Sequence, residues 1–171
     1  QILVPDQEPA YYVYQQYKDE FIYTGIIACT SIDDYINGKT KIHEQTITDR
    51  EEKLMHYLEV CDFNAEPVLF SYENDLKIDE ITANTVKTDP EFDFTTTDRV
   101  RHKLWVINDP IIVNELRERF LTIPHVYIAD GHHRSASSAL LGKSRRNEKG
   151  NYSGKEAFNY YLGIFFPENQ L

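Results

Sequence analysis

Residues 123–141 read Ile-Pro-His-Val-Tyr-Ile-Ala-Asp-Gly-His-His-Arg-Ser-Ala-Ser-Ser-Ala-Leu-Leu, and their order decides the fold class. Val126 to Ala129 is a short apolar run, too short for a helix and suited to a buried strand. Asp130-Gly131 is turn chemistry, because glycine reaches backbone angles closed to other residues and lets a ligand approach. Ala136, Ala139 and Leu140 then give small and apolar positions for a helix packed closely on a sheet. The stretch is a strand, a turn and a helix, with Asp130, His132, His133, Arg134 and Ser135 gathered at the join. Unpaired N–H groups and the helix dipole favour an anion there.

Working outward, Tyr11 to Tyr17 and Phe21 to Thr30 read as two strands joined by a three-residue link, a hairpin. Ser31 to Tyr35 reads as one helical turn closed by Asn37-Gly38. Thr48 to Cys61 is a helix whose Thr48 and Glu51 have capping-box spacing, with Leu54, Tyr57, Leu58 and Cys61 on one face. Pro67 to Tyr72 is a buried strand, and Leu76 to Thr85 a helix. Phe92 to Thr97 and Arg101 to Ile107 form a hairpin turning near Asp98-Arg99, with Trp105 expected in the core. Asp109-Pro110 opens a helix with an N-cap and a proline at its first position. Gly142 to Gly154, rich in Lys and Arg, is expected to be a mobile basic loop, and Tyr160 to Phe166 a closing strand. Strands and helices alternate irregularly, which predicts an α+β (α/β-like) fold with a mixed sheet and packed helices.

A length of 171 residues with 41% hydrophobic composition predicts one domain with a real core, residues 1–171. The chain opens on Gln1 and stops just after a strong strand, so it is read as an internal fragment of a longer one. A net charge of −10 argues against a general nucleic-acid or anionic-membrane surface, but surface charge is screened beyond about 8 Å and leaves room for a local anion site. Cys29 and Cys61 give neither a disulfide framework nor metal-finger spacing, and their apolar neighbours predict reduced core thiols. No apolar run approaches the roughly 20 residues that span a bilayer, and a cytoplasmic protein is expected.

Several motifs fail on spacing. Gly142-Lys143-Ser144 resembles a P-loop, yet Ser137 stands where its first glycine belongs. Gly131 alone does not make a dinucleotide fingerprint. Asp130, His132 or His133, and Ser135 crowd one turn, whereas a catalytic triad converges from separate elements. Adjacent His132 and His133 diverge by about 100° on a helix and do not chelate one zinc. What remains at Gly131 to Ser135 is anion binding, with Arg134 adding a charge-assisted bond; the competing view is that Arg134 pairs with a carboxylate of this acidic protein. A second cluster, Lys41-Ile42-His43-Glu44-Gln45-Thr46, sets a carboxylate beside an imidazole and an ammonium, as suits proton transfer or Mg²⁺ held against a phosphate; the competing view, which the residues alone favour, is an exposed loop before a helix.

Lys41-x-His43-Glu44-x-Thr46, Glu66-Pro67-Val68, His102 to Trp105 with Asp109-Pro110, and Tyr127 to Arg134 follow one another in an order that resembles the domain-of-unknown-function family 1015. That family looks related to the ParB/sulfiredoxin-like fold, which includes CTP-hydrolysing partition proteins, sulfiredoxin and free-serine kinases. The resemblance implies a Gly-x-x-Arg turn that holds nucleotide phosphates, here Gly131 to Arg134. His132 stands where sulfiredoxin has its catalytic cysteine, so sulfinic-acid reduction is not implied. The kinase-like turn implies adenine nucleotide, the likeness to the partition proteins implies CTP, and Mg²⁺ is the expected companion ion.

The expected function is therefore nucleotide binding, with phosphotransfer or nucleotide hydrolysis of free-serine-kinase type. Glu44, His43 and Asp130 are the expected catalytic groups, Glu44 the expected Mg²⁺ ligand, and Gly131, His132, His133, Arg134, Ser135 and Lys41 the expected phosphate contacts. The alternatives are a non-catalytic nucleotide sensor and a structural domain without a ligand. Small-molecule nucleotide or phosphate is the expected partner, with no nucleic acid or membrane.

Overall fold

The computed structural model describes residues 8–171. Among them are eight strands and five helices in a mixed arrangement. The strands are β1 (Tyr11–Lys18), β2 (Phe21–Ser31), β3 (Thr40–Lys41), β4 (Val68–Tyr72), β5 (Phe92–Thr95), β6 (Arg101–Ile107), β7 (Val126–Asp130) and β8 (Tyr160–Pro167). The helices are α1 (Ile32–Ile36), α2 (Thr48–Cys61), α3 (Leu76–Thr85), α4 (Pro110–Thr122) and α5 (His132–Lys149). The hydrogen-bonded strand order is β3-β7-β4-β8-β2-β1-β6-β5. The described residues divide into two compact units, one made of residues 8–28, Glu73–Pro124 and Phe166–Leu171, the other of Cys29–Tyr72 and His125–Phe165. Each unit is assembled from segments distant in sequence.

In the first unit, β1 is the central strand of an antiparallel meander. Val13 faces Ile26 on one side and Trp105 on the other, and all three are buried. The Trp105 indole donates to the Thr88 carbonyl at 2.9 Å, which satisfies its one polar atom inside the core. Asp75 caps α3 by accepting from the Lys77 and Ile78 N–H groups at 2.9 and 3.0 Å. The same carboxylate takes a fork from Arg119 of α4, which fastens the two helices together. Asp109 caps α4 ahead of Pro110, as its sequence predicts.

The second unit is what positions the site. Its short β3 runs parallel to β7, while β4 runs antiparallel to β7, so the sheet is mixed. Phe70 of β4 stacks on Phe165 of β8 with centroids 4.7 Å apart. A Cβ at Gly163 would come within 2.7 Å of the Phe70 ring, so this strand position must be glycine.

Three expectations need correcting here. The basic stretch after Leu141 is not a mobile loop: α5 continues to Lys149 and stops at Gly150. Its cations are structural. Arg146 grips both Asp33 oxygens at 2.7 and 2.8 Å and donates from Nε to Asn159 at 2.6 Å, and Lys149 reaches Glu156 at 2.8 Å. Lys149 and the Ser153 N–H hold the Glu156 carboxyl down at about 2. The Thr48–Glu51 capping box does not form either; α2 begins at Thr48, its cap is Ile47, and no side chain caps it. The cysteines are not core thiols: Cys29 is exposed, on the outward phase of β2 beside buried Thr30, and Cys61 is only partly covered.

Candidate functional site

β7 ends at Asp130 and α5 begins at His132, with Gly131 between them as the helix cap. Gly131 has φ +99°, a left-handed conformation that side-chain-bearing residues rarely adopt. Space is a second reason for glycine: a Cβ there would stand 3.1 Å from Arg134 Nε and 3.2 Å from its Cζ. The guanidinium is folded back over the turn. It donates from Nη2 to Asp130 at 2.6 Å and from Nη1 to the Pro67 carbonyl, and Glu66 lies 3.7 Å from Nη1. The carboxylate pairing weighed for Arg134 is thus present, alongside the open helix end.

His132 is 4% exposed and sits under the turn. Its Nε2 accepts from the His43 N–H at 3.4 Å, which leaves the proton on Nδ1. That Nδ1 faces a Glu44 oxygen 3.7 Å away, and the His43 ring meets His132 edge-on at 4.4 Å. Two segments far apart in sequence, residues 43–44 and 130–134, therefore meet. A cavity of about 550 Å³ opens above them, lined by Glu44, Asp130 and Gly131 to Arg134. It is also lined by Arg50, Lys53 and Leu54 of α2 and by Glu66. Sequence reading missed Arg50 and Lys53; their spacing on one helix face was the available signal, and it looks the same as a solvated charged face.

The remaining expected site residues lie elsewhere. Ser135 is fully buried beneath the turn, its N–H bonded to the Gly131 carbonyl at 3.1 Å, so its hydroxyl does not reach the cavity. Lys41 lies on β3 opposite Tyr127 and is not part of the lining, and His43 contributes through its contacts with His132 rather than by lining the cavity. Among the described residues no three or more His, Cys, Asp or Glu are grouped to hold a metal ion; one carboxylate beside a phosphate is the arrangement Mg²⁺ uses. Below the turn, the hydroxyls of Thr40, Ser135 and Tyr161 are buried together, and burial pushes the Tyr161 hydroxyl up to about 12 against the opposing pull of Ser135 and Thr40.

Burial, and then the neighbouring His43, hold His132 below the ordinary imidazole value, against the pull of Glu44 and Asp130. A histidine depressed in this way takes up its proton more readily when unfolded. Its stabilising contribution is full above about pH 6.5 and is lost as pH falls through the folded value. The urea midpoint should therefore drop between pH 7.5 and pH 5, and His132→Gln should flatten that drop. An equally steep drop in the variant would remove His132 as its cause.

The family model described as Protein of unknown function (DUF1015) matches residues 1–171. The chain is a DUF1015 protein. The resemblance carried by its four motifs thus holds along its whole length. No curated protein and no solved structure matches this DUF1015 chain. Among its described residues no helix is long and apolar enough to cross a membrane.

Proposed function

We propose that the Gly131–Arg134 turn of this DUF1015 protein holds the phosphates of a nucleotide, ATP, ADP or CTP with Mg²⁺, in the manner of the ParB/sulfiredoxin-like fold. The observation that carries this reading is the convergence, on a chain of net charge −10, of Arg50, Lys53, Arg134 and an uncapped helix start on one cavity. Helix N–H groups and the dipole supply about 0.3–1 kcal/mol per anionic charge, up to about 2 when partly buried. A charge-assisted bond from Arg134 adds about 1.5–3 kcal/mol. In this reading the arriving phosphate competes with Asp130 for the guanidinium, and Lys53 and Arg50 screen the outer charge.

The chemistry proposed is phosphotransfer or nucleotide hydrolysis of the free-serine-kinase type. Glu44 acts as base or Mg²⁺ ligand, oriented by the Nδ1–H of neutral His132. A second reading, a nucleotide sensor that turns nothing over, draws on the exposure of Glu44: its side chain is 66% open to solvent, whereas a base in a working phosphotransfer site is usually shielded from water.

Thermal shift with ATP, ADP and CTP plus Mg²⁺ tests binding; no shift with any of them would end both readings. Phosphate release, and transfer to serine, then separate enzyme from sensor. Glu44→Gln is expected to keep nucleotide affinity within about twofold and to abolish turnover. Turnover that survives this substitution would take Glu44 out of the chemistry.

A further inference from the structure

Beside the turn lies a second cavity of about 270 Å³, between α2 and α5. Its walls are Leu54, Tyr57, Leu58, Val68 and Tyr161, with Asn64 at the side. Three residues, Leu54, Glu66 and Arg134, line this cavity and the turn cavity alike, so the two share a border at the guanidinium. The helix that forms the wall is unusual. α2 has the apolar face expected of a core helix, yet not one of its residues is buried. Leu54 and Leu58 are only partly covered and line the cavity, and Tyr57 is 46% exposed at its edge. An apolar stripe packed on α5 yet left partly open beside a polar turn is the usual make-up of a small-molecule pocket: apolar walls with a few fixed polar groups at one end.

Resting on the phosphate reading above, we infer that this cavity takes the base of the same nucleotide, so that Arg134 stands between ring and phosphates. The walls suit a flat, uncharged ring. Leucine and valine supply the apolar faces, and the half-exposed Tyr57 in the lining offers an aromatic ring for stacking. Asn64 and Ser138, both in the lining, each carry donor and acceptor groups and can pair with a base edge. An aliphatic acceptor would use the leucines but neither the stacking surface nor the paired polar groups. The base then contributes affinity that phosphates alone do not have.

The experiment compares binding of ATP and CTP with that of inorganic tripolyphosphate, all with Mg²⁺, by calorimetry. One nucleotide is expected to bind the wild-type protein at least tenfold more tightly than tripolyphosphate. Leu58→Trp, which fills the cavity, is expected to erase that difference while tripolyphosphate binds as before. Tyr57→Ala, at an exposed position that folding tolerates, is expected to weaken the nucleotide about tenfold and leave tripolyphosphate unchanged. Equal affinity of tripolyphosphate and both nucleotides for the wild type would overturn the base site and leave the phosphate site standing. So would full nucleotide affinity in both folded variants. Absence of binding by all three compounds would overturn the phosphate reading and this inference with it.

Discussion

Gly142→Val is expected to destabilise the second unit by about 3 kcal/mol, the upper end of what overpacking a core costs. A Cβ at this position would press on Ile32 Cδ1 and on the Phe158 carbonyl oxygen. The isoleucine end can swing aside. The carbonyl cannot, because it belongs to the backbone leading into β8. Valine adds two more methyl groups to that contact, and its branching fits a helix less well than alanine. Gly142→Ala should fall in between, since leaving glycine in a helix interior recovers about 1 kcal/mol of propensity. The measurement is the denaturant midpoint of wild type and both variants at an unchanged slope. A valine variant as stable as wild type would mean that α5 does not approach α1 and the Phe158 turn this closely.

Arg134→Ala is expected to weaken binding of nucleotide and of tripolyphosphate by about ten- to 150-fold, the equivalent of about 1.5–3 kcal/mol. Its effect on stability should be much smaller. The Asp130 partner is 71% exposed, and ion pairs in that setting contribute about 0–1 kcal/mol; only the Pro67 carbonyl loses a part-buried donor. Loss of affinity with a nearly unchanged melting temperature is thus the signature of a binding arginine. The opposite pattern, intact affinity and a large loss of stability, would mean that Arg134 is a strut between β7 and the Pro67 turn. Arg134→Lys sharpens the comparison, because lysine keeps the charge and loses the planar fork.

The strand, turn and helix at Val126 to Leu141 were legible because each step rests on a local rule. A short apolar run makes a strand, glycine takes the positive φ, and small residues make a close-packed helix face. The end of that helix was not legible. Gly142 and the cations after it look like a loop, and only the contact with Ile32 and Phe158 and the Asp33, Asn159 and Glu156 partners turn them into helix. The meeting of Glu44 with the turn was expected only from the serine-kinase analogy, not from any local rule, and it depends on β3 pairing with β7. Arg50 and Lys53 stayed hidden for the opposite reason. Charge on a helix looks alike whether it faces water or a cavity, and the packing of α2 on α5 alone tells the two apart.

The second unit is interrupted in sequence by Glu73–Pro124, which belongs to the first. His43 and His132, in contact in the finished protein, are 89 residues apart. At a synthesis rate of about 5–20 residues per second, α2 waits roughly 5–20 s for the helix it packs on. During that interval its leucines have no partner, and the cations of the cavity have no helix start to share with them. The site is therefore a late product of folding, and the closing of this long loop sets when it first exists. A chain halted before β7 carries Glu44, and α2 with Arg50 and Lys53, but lacks the turn and helix start that complete the candidate site.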